Sequence, residues 1–72
     1  MLRKDAIQAS GVVLETLPDE AFRVELPNGH RLVARMRSSL KLNFMQVAAG
    51  DRVTVELSPY DLSRGMIVLK ER

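Results

Sequence analysis

The chain has no cysteine and no tryptophan, and among its 72 residues there are one histidine, one tyrosine and two phenylalanines. Without cysteine there is neither a disulfide framework nor a thiolate nucleophile, and one imidazole cannot by itself hold a structural zinc ion. Stability must come from the apolar core, which in this size class supplies only about 3–5 kcal/mol. No apolar run approaches the ~20 residues that span a bilayer. The N-terminal "MLRKDAIQAS" also lacks the apolar centre of a signal peptide. These absences lead us to expect one domain over residues 1–72, in the cytoplasm, monomeric when free, with no metal, cofactor or membrane partner.

Catalytic constellations are equally scarce. His30 follows a turn signal, the serines fall in turn or cap positions, and Asp19, Glu20 and Asp61 sit where acids make local hydrogen bonds. A nucleophile needs a base within reach and a general base needs a tuned pKa. No such pairing is visible and no glycine-rich phosphate loop occurs. A non-enzymatic role is expected.

The most informative absence is of one sign of charge. Nine acids occur in the chain, yet none lies between Glu25 and Asp51. Arg31, Arg35, Arg37 and Lys41 fall inside that gap, so this stretch is positive while the remainder, taken alone, is negative against a net charge of +2. Cations concentrated in this way focus a field on an anionic partner.

What is present is mostly period-two apolar alternation, the mark of strands. Strands are predicted over 11–17, 21–26, 31–37, 52–57 and 66–70. Gly11 is expected at a bend or bulge, and Asn28-Gly29 as the positive-φ pair of a tight hairpin. "SPYDLSRG" reads as a turn-rich link, in which Tyr60 is either a corner-packing residue, the favoured reading, or an exposed contact. Between the third and fourth strands, Ser38 or Ser39 can cap a short helix or helical turn whose apolar stripe is Leu40, Phe44 and Val47, ended by Gly50. Five strands with one helical turn between the third and fourth is the pattern of an all-β, five-stranded OB-fold, a Greek-key barrel. An SH3-like barrel is the alternative, but its helical turn falls nearer the last strand.

In "RLVARMR" the odd positions carry Arg31, Val33, Arg35 and Arg37 and the even ones Leu32, Ala34 and Met36. Alternation therefore aims three guanidiniums at one face, with about 7 Å between alternate positions. Guanidinium forks suit phosphate oxygens. A solvated outer face would explain polar residues but not the missing acids, although Glu25 could neutralise part of the row from across the strand pair. Phe22 shares the inward parity of Val24 and Leu26, and Phe44 lies on the helical stripe, so few rings remain for base stacking. A folded RNA read through backbone and shape suits this composition better than a melted strand. The candidate RNA-binding set is Arg31, Arg35, Arg37, Lys41, Arg64, Lys70 and Arg72, with Arg3, Lys4 and His30 in secondary positions.

"GVVLETLPDEAFRVELPNGH", "GDRVTVELSPYDLSRG" and the late "IV" closely resemble bacterial translation initiation factor one, without gaps over essentially the whole chain. The resemblance implies an OB-fold protein that performs no chemistry. It implies binding to the small ribosomal subunit at the aminoacyl (A) site, against the decoding helix of the ribosomal RNA and an adjacent ribosomal protein. There such a protein assists the second and third initiation factors and excludes elongator tRNA. Lys41 matches a family arginine in charge only. Ser39, Leu42, Gln46 and Met66 stand where basic residues are usual, and Glu71 adds an acid. These departures suit a divergent paralogue with fewer phosphate contacts. The competing class is a free RNA-chaperone module of cold-shock type, whose surface aromatic motifs are absent here.

Overall fold

Strands in which valine and leucine predominate fill most of the structure, a computed structural model that describes residues 6–36 and 46–71. In chain order they are β1 (Ile7–Leu17), β2 (Ala21–Glu25), β3 (Arg31–Met36), β4 (Arg52–Ser58) and β5 (Asp61–Lys70). Neighbours around the sheet run β1-β2-β3-β5-β4, and β4 closes back on β1. Every pairing is antiparallel except β3 with β5. This is the expected five-stranded OB-fold barrel, and closure removes the free edges that a sheet this small would otherwise expose.

The alternation read from sequence sorts the side chains as expected. Phe22, Val24, Leu32, Ala34, Val53, Val55 and Leu57 turn inward and, with Val13 and Ile67, form one buried cluster. No polar side chain among the described residues is buried with them. The core is therefore built almost entirely from β-branched and aliphatic groups whose stiff rotamers suit a pleated surface.

Three features differ from the sequence reading, each for a physical reason. β1 begins at Ile7 rather than at residue 11, because its first half pairs with β4 while its second half pairs with β2. Gly11 lies at this handover, and a Cβ there would stand 2.6 Å from Val24 Cγ1 and 3.0 Å from the Glu25 carbonyl oxygen. β5 begins at Asp61 rather than at residue 66, so most of the expected link is strand and only Pro59 and Tyr60 form the turn. Its first four residues, Asp61 to Arg64, are all exposed, and Gly65 then comes close to the side chains of Leu57 and Leu32. Tyr60 does not pack: it is 85% exposed at the tip of that hairpin.

The third difference concerns turns. Asn28 does not adopt positive φ; in the 26–30 hairpin only Gly29 does, at 88°. The amide of Gly29 bonds the carbonyl of Leu26 at 2.9 Å, and the amide of Leu26 bonds the carbonyl of His30 at 2.8 Å. Pro27 and Asn28 thus occupy the centre of an ordinary turn, followed by a left-handed glycine in a three-residue loop. The paired positive-φ residues are instead Asp19 (62°) and Glu20 (59°), which join β1 to β2. The expected helix between β3 and β4 falls largely outside the described residues. Its final stretch, 46–50, holds no helix and ends in a turn at Ala49 and Gly50.

Carboxylates knit the barrel's outer seams. Glu71 accepts hydroxyl hydrogen bonds from Ser10 on β1 (2.8 Å) and Thr54 on β4 (2.9 Å), a cross-strand pair. Asp51 accepts the amide of Ala48 at 2.8 Å and faces the Lys70 ammonium at 3.5 Å. Asp61 accepts from the hydroxyl and the amide of Ser63. All three carboxyls are held below their ordinary values. For Glu71 the Ser10 and Thr54 hydroxyls are the cause, for Asp61 the Ser63 donors, and for Asp51 the Ala48 amide followed by Lys70.

Gly11→Val should lower the urea midpoint by an amount equivalent to about 2 kcal/mol, the usual scale of overpacking. Its new methyls meet stiff Val24 and immobile backbone, so an unchanged midpoint would contradict the close approach described. A carboxyl with a depressed folded pKa contributes stability above its unfolded pKa and loses it as pH falls through the folded value. Thermal melts should therefore be level near neutrality and drop as pH falls below about 4.5. Glu71→Gln should make that acid drop shallower.

Candidate nucleic-acid interface

Because Leu32 and Ala34 point into the core, Arg31, Val33 and Arg35 of β3 point outward, as the alternation requires. Parallel pairing with β5 sets Arg64 opposite Val33 and Met66 opposite Arg35. Arg35 and Arg64 are thus diagonal neighbours on one wall, separated by two residues along a strand and one strand across, or about 8 Å. Arg31 lies one alternate position further along β3. On the other side, β2 contributes Arg23 opposite Val33 and Glu25 opposite Arg31. The wall is a row of guanidiniums with Val33, Met66 and Leu62 as apolar ground between them.

The absence of acids from residues 26–50 does not carry over fully into space. Glu25 on β2 reaches Arg31, its Oε2 accepting from Arg31 Nε at 3.1 Å. One strand further, Glu15 accepts from Arg23 Nε at 2.9 Å. A bulge makes that second pairing. The β1–β2 register shifts between Val13 and Glu15, leaving Leu14 unpaired and bringing Glu15 opposite Arg23. The expectation that Arg31 belongs to a wholly unneutralised row is therefore corrected. Both contacts are made through Nε on exposed side chains, the setting in which an ion pair contributes only about 0–1 kcal/mol.

Arg35 and Arg64 are different. Among the described residues, neither has a carboxylate within ion-pair distance. Arg35 Nη1 instead donates to the carbonyl oxygen of Asp19 at 2.7 Å, a neutral acceptor that orients the guanidinium without cancelling its charge. The carbonyl is available because Asp19 is one of the two left-handed residues of the β1–β2 turn. The nearest acid in sequence to Arg64 is Asp61, whose carboxyl accepts from Ser63 and is also stabilised, more weakly, by the Arg64 charge, with no ion-pair contact between them.

The remaining candidates separate. Lys70 lies at the far end of β5, where it donates to the carbonyl of Gln46 at 2.8 Å and pairs with Asp51. The structure does not bring it to the β3–β5 wall. His30 is half-buried, and its Nε2 bonds the Leu62 carbonyl at 2.6 Å, tying the β2–β3 hairpin to the start of β5. Arg37, Lys41, Arg72, Arg3 and Lys4 lie outside the described residues. Sequence reasoning passed over Arg23, whose outward parity in "AFRVEL" placed it on this same wall, because the acids flanking it masked the signal. For Tyr60 the sequence favoured corner packing over an exposed contact, because a turn carries no periodic signal to decide between them, and the structure exposes it.

Among the described residues no group of acids and histidine is arranged to hold a metal ion, and no helix is long and apolar enough to cross a membrane. The wall can neutralise a spaced row of anions and cover flat apolar surface between them.

Comparison with known proteins agrees with this architecture. A solution structure of translation initiation factor one from the Wolbachia endosymbiont strain TRS of Brugia malayi is 31% identical. It superposes with a TM-score of 0.77 over 96% of this chain and 82% of that one. A crystal structure of YjeQ from Thermotoga maritima, 22% identical, superposes with a TM-score of 0.74 over 92% of this chain and 23% of that one, a likeness of fold alone. The family described as "Translation initiation factor 1A / IF-1" matches residues 1–72. An OB-fold barrel with a cationic outer wall, matched from end to end by that description, belongs to the translation initiation factor 1A / IF-1 family.

Proposed function

We propose that this initiation factor binds the small ribosomal subunit in the cytoplasm, at the A site, by laying the outer wall of β3 and β5 against phosphates of the decoding region. One observation carries the reading: Arg35 and Arg64 stand on adjacent strands of the same wall with no carboxylate partner among the described residues. Arg31 and Arg23 join them by exchanging a weak, solvent-screened contact with Glu25 or Glu15 for a charge-assisted bond to phosphate. Arg37, Lys41 and Arg72 are proposed to extend the contact, with Lys70, Arg3 and Lys4 contributing at longer range.

The mechanism is occupancy rather than chemistry. A barrel seated in the decoding site denies that space to elongator tRNA, and its remaining surface supports the second and third initiation factors on the subunit. An adjacent ribosomal protein completes the pocket. Family membership supports the host, and the wall's charge supports the face presented to it. A cold-shock type of free RNA chaperone would display several surface rings. Here Phe22 is in the core, and Tyr60 is the one exposed ring among the described residues.

Binding to isolated small subunits should weaken with salt, log K falling against log[salt] with a slope of about −3 from the four wall arginines Arg23, Arg31, Arg35 and Arg64, and more steeply as Arg37, Lys41 and Arg72 add contacts. Arg35→Ala should reduce that slope by about 0.7–0.9 while leaving the melting temperature unchanged. Glu25→Gln should act oppositely and tighten binding, because it releases Arg31. A salt-independent affinity would refute the electrostatic mechanism. Chemical footprinting of the subunit RNA should show protection in the decoding region; protection confined to another region would overturn the A-site assignment.

A further inference from the structure

The tip of the β2–β3 hairpin carries an asparagine–glycine step whose chemistry the binding wall does not use. Of the two asparagines in the chain, Asn28 precedes Gly29 and Asn43 precedes Phe44. Pro27, Asn28 and Gly29 are all exposed, and the space where a side chain at Gly29 would stand is empty to 4 Å. No side chain therefore shields the Gly29 nitrogen from the adjacent Asn28 amide carbon, and ring closure between them needs no second molecule. A donor is already aimed at the oxygen on that carbon: the His30 amide donates to Asn28 Oδ1 at 3.0 Å. His30 is itself held from both sides, its carbonyl accepting from the Leu26 amide at 2.8 Å and its Nε2 meeting the Leu62 carbonyl at 2.6 Å. A fixed N–H beside that oxygen stabilises the negative charge that grows there during attack. One bond opposes the reaction: the Gly29 amide donates to the Leu26 carbonyl at 2.9 Å. Attack waits for that bond to open, a local event at an exposed loop tip.

We propose that Asn28 is a site of spontaneous deamidation, and that its products weaken the hold of the β3–β5 wall on RNA. The Gly29 nitrogen gives its proton to hydroxide and attacks Asn28 Cγ. The N–C bond forms as the Cγ–Nδ2 bond breaks, and ammonia leaves with a proton from water. Water then opens the resulting cyclic imide at either carbonyl, which leaves aspartate or isoaspartate at position 28. Nothing is oxidised or reduced, and water is the one reagent consumed. Aspartate keeps an acceptor for the His30 amide but adds a negative charge to the hairpin that leads into Arg31. Isoaspartate adds that charge and also one carbon to the main chain of a three-residue loop, whose length sets the β2–β3 register. Glu25 and Arg31 are partners in that register, close behind the loop. The effect on the wall rests on the proposed RNA-binding reading; the chemistry at Asn28 does not.

Kept in mildly alkaline buffer, the folded chain should accumulate a more acidic species with the mass of a carboxyl in place of an amide. Peptide mapping should place the change at Asn28 and leave Asn43 unaltered, because a side chain on the following residue crowds the attacking nitrogen. The rate should rise with hydroxide, and it should be slower in the folded chain than in urea because the Leu26–Gly29 bond delays attack. Asn28→Gln, which would have to close a larger ring, should abolish the species. Its absence from the unaltered chain, or conversion at Asn28 no faster than at Asn43, would overturn the site. Asn28→Asp should melt with the unaltered chain and bind small subunits about two- to fivefold more weakly, the scale of one exposed charge. The isolated isoaspartate form should bind more weakly still. Converted and unconverted protein binding equally would overturn the effect on the wall. If the unconverted chain itself does not bind subunits, the RNA-binding reading fails, and peptide mapping still decides the site.

Discussion

Every strand of the closed barrel pairs with two neighbours, and closure depends on two of them, β1 and β5, crossing a close-packed core at a glycine. β1 passes from β4 to β2 at Gly11, and β5 runs between β3 and β4 with Gly65 at the tightest point. At Gly65 a Cβ would lie 2.5 Å from Leu57 Cδ2 and 2.8 Å from Leu32 Cδ1. A core of valines, alanines and a few larger groups leaves no room for even one more carbon at these places, since protein interiors are already close-packed. Every later feature of the molecule uses this closure. The parallel β3–β5 contact exists only because the barrel closes, and that contact brings Arg64 beside Arg35.

Charge on the outer wall shows a consistent division. Where a carboxylate is supplied by a neighbouring strand, it engages Nε of an arginine. Where none is supplied, a backbone carbonyl orients the guanidinium, as Asp19 does for Arg35. Both arrangements restrict the side chain before any partner arrives and reduce the ordering cost of binding. They differ in net field: the Glu25–Arg31 and Glu15–Arg23 pairs soften the potential, so Arg35 and Arg64 dominate it. Met66, directly across from Arg35, adds an apolar surface between charges. The wall is accordingly less cationic than the basic stretch of sequence implied.

The acids of the chain have structural tasks elsewhere. Glu71 draws Ser10 and Thr54 together over the β1–β4 seam, and Asp51 organises the turn that precedes β4 while holding Lys70. A positive charge near the C-terminal end thus serves the fold, although its residue type alone suggested a phosphate contact. His30 shows the same ambiguity, since a residue after a hairpin turn reads as solvated until the start of β5 is seen to lie beside it.

Much of this was legible in the residues themselves. Alternation in "AFRVEL", "RLVARM" and "RVTVEL" determined which side chains turn inward, because a strand's period of two leaves no freedom once one face is apolar. Composition determined that no disulfide or thiolate chemistry is available, and strand count with the "VELSPYDLSRG" signature pointed to the barrel and its family. Tertiary structure alone decided the rest. Sequence order cannot say that Glu25 and Glu15 lie across from Arg31 and Arg23, that Lys70 meets Asp51, that β5 starts at Asp61, or that Tyr60 faces water. Those facts depend on register, on one bulged residue at Leu14 and on the closing of β5 between β3 and β4. Such contacts join residues far apart in the chain, and a one-residue shift in pairing would have changed every one of them.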